Sequence, residues 1–260
     1  MFLIVDMLII EEDKHAAWIG EVVTHLKKVE EISATSGSRT TIELVYEALR
    51  RAILCGEIPP ESRMRVEDLR ATFGVGSSTV REALSRLLAE NLVTTEGQRG
   101  FRAATISIED FKSIVEMRAL LEARAVRHSI ETGDDDWESA FVAAHHRLAK
   151  LETEAVGRED ELVGDWEKRN RAFHDAMTAA CTNVWLLNCR SMLYSHSVRY
   201  LQISFAQKRC IPRDVRGEHQ AIFEAVIARD AARAEKLTAD HIFRTVPEIE
   251  ARLAEMKLSA

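Results

Sequence analysis

The 260-residue chain has only four cysteines, Cys55, Cys181, Cys189 and Cys210, and no two of them stand in a Cys-x-x-Cys spacing. That pattern argues against a zinc ribbon and against a secreted disulfide framework. It points instead to reduced thiols in a cytoplasmic protein. Cys181 and Cys189 read as buried helix residues rather than a redox pair. Long apolar runs are missing as well. Residues 1–10 (MFLIVDMLII) are too short to span a bilayer, are interrupted by Asp6, and lack the basic start of a signal peptide. There is no His-Glu-x-x-His arrangement, no glycine-rich phosphate loop and no nucleophile elbow, so the sequence offers little to an enzyme. Nor is there a basic surplus. With 35 Lys+Arg against 42 Asp+Glu the net charge is −7, which argues against a general polyanion binder.

What the chain does have is concentrated between residues 66 and 88 (VEDLRATFGVGSSTVREALSRLL). This stretch reads as two short amphipathic helices around a glycine-containing turn. Val66, Leu69 and Phe73 mark the apolar face of the first, and Val80, Ala83, Leu84, Leu87 and Leu88 that of the second. Gly74, Val75 and Gly76 separate them, and Ser77 reads as an N-cap. The second helix opens with the hydroxyls of Ser77, Ser78 and Thr79, followed by Arg81. Backbone amides and small hydroxyls at a helix start grip phosphate, and a guanidinium takes phosphate or the guanine edge. Residues 41–54 form another amphipathic helix upstream. Downstream, residues 92–95 and 100–104 read as two strands joined by a turn at 96–99. Together these make a winged helix-turn-helix, although the same pattern fits an ordinary three-helix domain with a surface hairpin. Residues 39–105 hold ten Lys+Arg and nine Asp+Glu, so this segment is near neutral and the acidity lies elsewhere. A specific DNA binder needs only a local cationic face. With few phosphate contacts, its affinity should remain salt-sensitive.

From Ser107 onward the pattern is helical. Helices are expected near 107–131, 135–155, 159–181, 184–208, 213–229 and 231–257, with breaks at Gly133, Gly157, Thr182-Asn183, Pro212 and Asp230. An antiparallel all-α bundle follows, of the kind that encloses ligand cavities between helices. His174 follows Asn170 by one helical turn, so the two share a face. His219 opens one helix and His241 lies in the next. Antiparallel helices would bring such imidazoles together, and neutral imidazoles suit zinc, nickel or another borderline divalent ion. Histidines on helices also serve as surface or hydrogen-bonded core residues, and spacing alone leaves both readings open.

The run from Thr41 to Ala104 resembles the DNA-binding domain of the GntR family of bacterial transcription regulators. The resemblance is carried by Ala52-Ile53 with Gly56, Pro59, Arg63-Met64, Leu69, Gly74-Val75, Val80-Arg81-Glu82-Ala83-Leu84, Leu87 and Arg99-Gly100. Pro60, where the family has glycine, and Thr79, where proline is common, depart from the pattern without touching the apolar frame. The resemblance implies DNA contacts from Arg65, Ser77, Ser78, Thr79, Arg81, Gln98, Arg99 and Gly100. Residues from about 107 to 250 resemble the FCD ligand-binding domain of the FadR branch, through Arg118 to Glu122, Phe173-His174, Asn183, Glu218-His219 and His241-Ile242. Many members of that branch hold a metal through one Asp and three His. By residue match these are Asn170, His174, His219 and His241, with an amide in place of the acidic ligand. A weaker or more exchangeable zinc or nickel ion, or a site without metal, would follow. Arg118 and Arg199 are implied as effector-binding cations for a small organic acid. The alternative for Arg118 is a salt bridge with Glu122. His196 and the pair His145-His146 read as surface or core residues.

The expected organisation is therefore mainly α. Residues 1–38 form an extension or a start codon placed too early, with a linker at 33–38. Residues 39–105 form the winged helix-turn-helix, and residues 106–260 the helical effector-binding and dimerisation domain. The expected function is a metabolite-responsive repressor. It would act in the cytoplasm, without a membrane, as a homodimer on a two-fold symmetric double-stranded DNA operator. A metal-sensing regulator is the alternative, and a metal-dependent enzyme stands far behind both.

Overall fold

A computed structural model describes residues 40–95, 100–154, 159–205 and 213–259. The extension before residue 39, the turn at 96–99 with Gln98 and Arg99, and Cys210 lie outside the described residues. The chain divides into two compact units, the first ending at Ile106 and the second beginning at Ser107. No helix of the described residues is long and apolar enough to cross a membrane.

The first unit opens with α1 (Thr41–Leu54), fixed at its start by a capping box. The Thr40 hydroxyl accepts from the Glu43 amide, and the Glu43 carboxylate accepts from the Thr40 amide, so two otherwise unpaired donors are satisfied. Next come β1 (Arg63–Met64), α2 (Val66–Phe73) and α3 (Ser77–Ala89). The strands β2 (Val93–Thr95) and β3 (Phe101–Ala103) complete the unit. Helix α2 stops because Gly74 takes a left-handed conformation, φ 63°, that a side chain would oppose. The sheet runs β1-β3-β2, antiparallel throughout, with Met64 opposite Phe101 and Thr95 opposite the same residue on the other edge. β1 is too short to show an alternating pattern, which is why the sequence gives no sign of it. Leu49, Ile53, Ile58, Met64, Leu69, Val80, Leu84, Leu87 and Leu92 form one buried cluster. Two expectations are corrected here. The N-cap of α3 is Gly76, and Ser77 is already its first helical residue. Leu88 does not join the apolar face and is 37% exposed.

The second unit contains α4 (Ile108–Thr132), α5 (Asp135–Glu154), α6 (Glu159–Met177), α7 (Val184–Phe205), α8 (Val215–Ile227), α9 (Ala231–Phe243) and α10 (Thr245–Ser259). Side-chain oxygens of Ser107, Asp214 and Asp230 cap α4, α8 and α9. α4 is the central element, packed against both α9 and α7. α7 runs antiparallel to it, since Tyr200 meets Ser107, Ser197 meets Arg118 and Thr182 meets His128. Phe141, Leu148, Phe173, Met177, Ile222 and Val226 fill the core. The long helix expected over 231–257 is divided at Arg244. Pro247 accounts for the division. Within a continuous helix it would leave the Phe243 carbonyl without a donor, whereas in the first turn of α10 its missing N–H costs nothing. Cys181 is buried in the loop after α6, but Cys189 is exposed on α7, contrary to the expectation that both are buried in helices.

Candidate metal centre and nucleic-acid interface

Helix α3 is anchored by its buried residues Val80, Ala83, Leu84 and Leu87. That leaves Ser78 and Arg81, three positions apart, on the exposed side, with Ser77 and Thr79 half-buried beside them. Gly76 supplies no side-chain acceptor, so the first amides of the helix have no side-chain cap. Arg65, exposed, immediately precedes α2. Neighbouring cations are committed elsewhere: Arg50 to Glu90, Arg86 to Glu82, and Arg102 to the Glu61 carbonyl. Among the described residues neither Arg65 nor Arg81 is held in an ion pair. Gly100 is exposed at the start of β3 with φ 101°, a conformation that accounts for glycine there on backbone grounds.

In the second unit, α6, α8 and α9 bring His174, His219 and His241 together. All three are buried, and one ring nitrogen from each lies within 4.8 Å of the others. The ring centroids are 4.8–5.9 Å apart. Each imidazole has a carboxylate on its Nδ1 side. Glu152 lies 2.8 Å from Nδ1 of His219, Glu218 2.8 Å from Nδ1 of His241, and Glu122 3.2 Å from Nδ1 of His174. At His219 and His241 a carboxylate accepting from Nδ1–H fixes the tautomer that leaves a lone pair on Nε2, while Glu122 faces His174 without a full hydrogen bond. The Nε2 atoms of His174 and His219 are buried without a hydrogen-bond partner among the described residues. Burial pushes the His174 imidazole down to about 4 against the opposing pull of Glu122. Burial likewise holds His241 well below its ordinary value, despite its bond to Glu218. Both are neutral near pH 7, the form that ligates a cation.

Asn170 lies one turn before His174 on α6 and is buried. Its Nδ2 donates to the Tyr194 hydroxyl at 3.2 Å, and its Oδ1 has no hydrogen-bond partner among the described residues. The amide is thus held so that its oxygen, not its nitrogen, is the uncommitted end. Unpartnered lone pairs in a buried setting are costly unless a cation or donor meets them. The three imidazoles form a donor set that fits a borderline divalent ion such as zinc or nickel, and the Asn170 oxygen, one turn from His174, is a candidate fourth donor.

Around this set runs a charged network of which the sequence disclosed only the Arg118–Glu122 pair. Glu122 is fully buried, 2.9 Å from Arg118 Nε and 3.5 Å from Arg190 Nε. Burial alone would raise its carboxyl, but Arg190 and then Arg118 outweigh that and hold it well below the usual carboxylate range. Arg118 also donates to Ser197 at 3.0 Å and stacks 4.5 Å over the Tyr194 ring. The salt-bridge alternative for Arg118 is therefore present. Arg199 is buried near Tyr200 and Asp110, at the first turn of α4. Asp110 and Glu122 are about 18 Å apart along that helix, so Arg199 and Arg118 do not meet in one site. Glu152 and Glu218 were missed because their partners lie on other helices, and Glu218 serves His241 rather than its neighbour His219. An open cavity of about 540 Å³ adjoins the cluster through Glu218, lined also by Arg213, Asp214, Asp240 and Arg244. Arg213 bonds both Glu218 and the His241 carbonyl there.

Comparison with known proteins agrees with both halves of this picture. Residues 41–102 match the family of bacterial regulatory proteins, gntR family, and residues 113–244 match the FCD domain. The uncharacterized HTH-type transcriptional regulator BphR of Paraburkholderia xenovorans is 38% identical over 78% of this chain and 83% of its own. The HTH-type transcriptional repressor GlaR of Escherichia coli is 34% identical over 80% of this chain and 96% of its own. Among solved structures, McbR/YncC of E. coli superposes with a TM-score of 0.67 at 18% identity, over 83% of this chain and all of that one. A GntR regulator from Rhodococcus sp. RHA1 gives 0.64 at 22% identity, over 81% of this chain and 97% of that one. At these identities the structural likeness speaks for the fold alone. With its helix-turn-helix half, its FCD half and two relatives above 30% identity, the chain belongs to the gntR family of bacterial regulatory proteins and is a DNA-binding transcription regulator, not an enzyme.

Proposed function

We propose that this regulator is a metabolite-responsive repressor. It binds a two-fold symmetric operator as a dimer and is switched by a small carboxylate received at a divalent cation in the helical unit. The observation that carries the reading is the buried convergence of His174, His219 and His241, each backed by a carboxylate, with the uncommitted Asn170 oxygen on the same helix as His174. These residues would hold the ion, and the ion would supply open coordination positions to an effector oxygen. Repression is supported by the name of the relative GlaR. The DNA-contacting set is Arg65, Ser77, Ser78, Thr79, Arg81 and Gly100, together with Gln98 and Arg99 of the turn. Dimerisation is supported by an unpartnered apolar face. Met117 and Leu120 on α4, and Trp185 and Met192 on the antiparallel α7, are exposed, Trp185 by 79%. Apolar groups this exposed mark association surfaces.

The test is metal content per chain of untagged protein purified without chelator, followed by operator binding with the metal alone and with metal plus carboxylates. About one divalent ion per chain, with operator release only when a carboxylate is added, supports the reading. Operator affinity that changes on metal addition alone would make the ion itself the signal. No bound metal after incubation with zinc or nickel would remove the cation from the mechanism.

A further inference from the structure

The buried polar atoms around the histidines that lack partners are of two opposite kinds. His174 Nε2, His219 Nε2 and Asn170 Oδ1 offer lone pairs, which call for a cation or a donor. Arg190 Nε and Nη2 offer protons, which call for an anion or another acceptor. Arg190 is buried to 3% exposure on α7, and only its Nη1 is spent, on Asp175 at 2.8 Å. Glu122 Oε2 stands between the two groups, 3.5 Å from Arg190 Nε and 3.2 Å from His174 Nδ1, and makes a full hydrogen bond with neither. One buried network therefore joins the cation-seeking atoms to the anion-seeking ones.

We infer that the Nε–Nη2 edge of Arg190 is the carboxylate-receiving group of the effector site, a role that the sequence pattern gave to Arg118 and Arg199. The two uncommitted N–H groups lie along one edge of the guanidinium, the fork that a carboxylate meets with two parallel bonds. The other arginines near the histidines are already engaged. Arg118 spends Nε on Glu122 and Nη1 on Ser197, with its face on Tyr194. Arg213 spends Nε and Nη2 on Glu218 and the His241 carbonyl. A divalent ion at the histidines adds positive charge beside Arg118 and Arg190, and an incoming anion offsets it. Leaving two buried donors unmet is costly, so a ligand that meets both is retained even when it is small.

This inference rests on the carboxylate-responsive reading above, and its test separates the two. Full-length zinc-loaded protein is titrated with sodium acetate, lactate and succinate at constant ionic strength, with melting temperature as the readout. The same titrations are run on Arg190→Met and Arg190→Lys. At least one of the three acids is expected to raise the melting temperature of the native chain. Its apparent affinity should fall about tenfold or more in Arg190→Met, with partial recovery in Arg190→Lys, while zinc stoichiometry and operator binding stay intact. A response to none of the acids overturns the subsite, as does an unchanged response in Arg190→Met. Should Arg190→Met fail to fold, Arg190→Lys decides alone, because it keeps the charge but loses the fork, and an undiminished response there overturns the subsite. Loss of zinc and operator binding by the native chain would fault the broader reading instead, and the titration of metal-free protein would still test Arg190.

Discussion

At the scale of single residues, the histidine cluster is a case of a weak sequence signal whose members the fold brings together. Asn170, His174, His219 and His241 were legible as a possible set through helical spacing and family pattern. The pairing of Glu122, Glu152 and Glu218 with these histidines was not, because a carboxylate on another helix leaves no periodic trace. Glu152 lies 67 positions before the His219 it orients. The asparagine now has a physical setting. Tyr194 holds its nitrogen, so its oxygen is the uncommitted end, and in the proposed metal site it would serve as a ligand without negative charge. Asn170→Asp should therefore tighten zinc binding by about tenfold or more, since a carboxylate adds a full charge in a buried site. Chelator competition at pH 7 measures this. His174 and His241 are already neutral there, so their protonation does not mask the change. Equal or weaker zinc affinity in Asn170→Asp would show that residue 170 does not face the ion.

At the scale of elements, the apolar periodicity of α1, α2 and α3 placed those helices almost to the residue, because each buries one face in a small core. What failed was local chemistry. Pro247 stops a helix that periodicity alone would continue, and Gly76 rather than a hydroxyl residue precedes α3. The second point bears on function. A helix whose N-terminus has no side-chain cap keeps its first amides available to an outside acceptor, and Ser78 and Arg81 extend the same exposed surface. Arg81 makes no intramolecular ion pair among the described residues, so its removal should cost little stability. Arg81→Ala is expected to lose at least ~1 kcal/mol of operator affinity, about fivefold, with an unchanged melting temperature and unchanged metal content. Fluorescence anisotropy against operator and scrambled duplexes reads both terms. Equal loss on both duplexes would assign Arg81 to phosphate, loss on the operator alone would assign it to a base edge, and no loss on either would remove α3 from the interface.

At the scale of the molecule, a chain with net charge −7 and a near-neutral DNA-binding segment gains little from non-specific attraction to a polyanion. Affinity for an operator must then come from geometry, and in the proposed dimer two linked copies on two half-sites would supply it through effective concentration. The change from mixed to purely helical patterning falls at Ser107, where the second compact unit begins, but no pattern in the sequence marks the face proposed to join two copies. Met117, Leu120, Trp185 and Met192 have helical spacings like any core residues, and only the folded unit shows that they are uncovered. Placing a charge on this face should separate the copies without unfolding either. Leu120 and Trp185 are 63% and 79% exposed, so Leu120→Glu combined with Trp185→Glu removes almost no intramolecular packing. Sedimentation velocity at micromolar concentration should show the native chain as a dimer and the double variant as a monomer with native helix content. Because half-site binding loses the linkage between copies, operator affinity should fall about a hundredfold or more, while affinity for an isolated half-site stays the same. A double variant that remains dimeric would place the joining surface elsewhere, and one that becomes monomeric yet keeps full operator affinity would show that two-fold binding is not what makes this regulator specific.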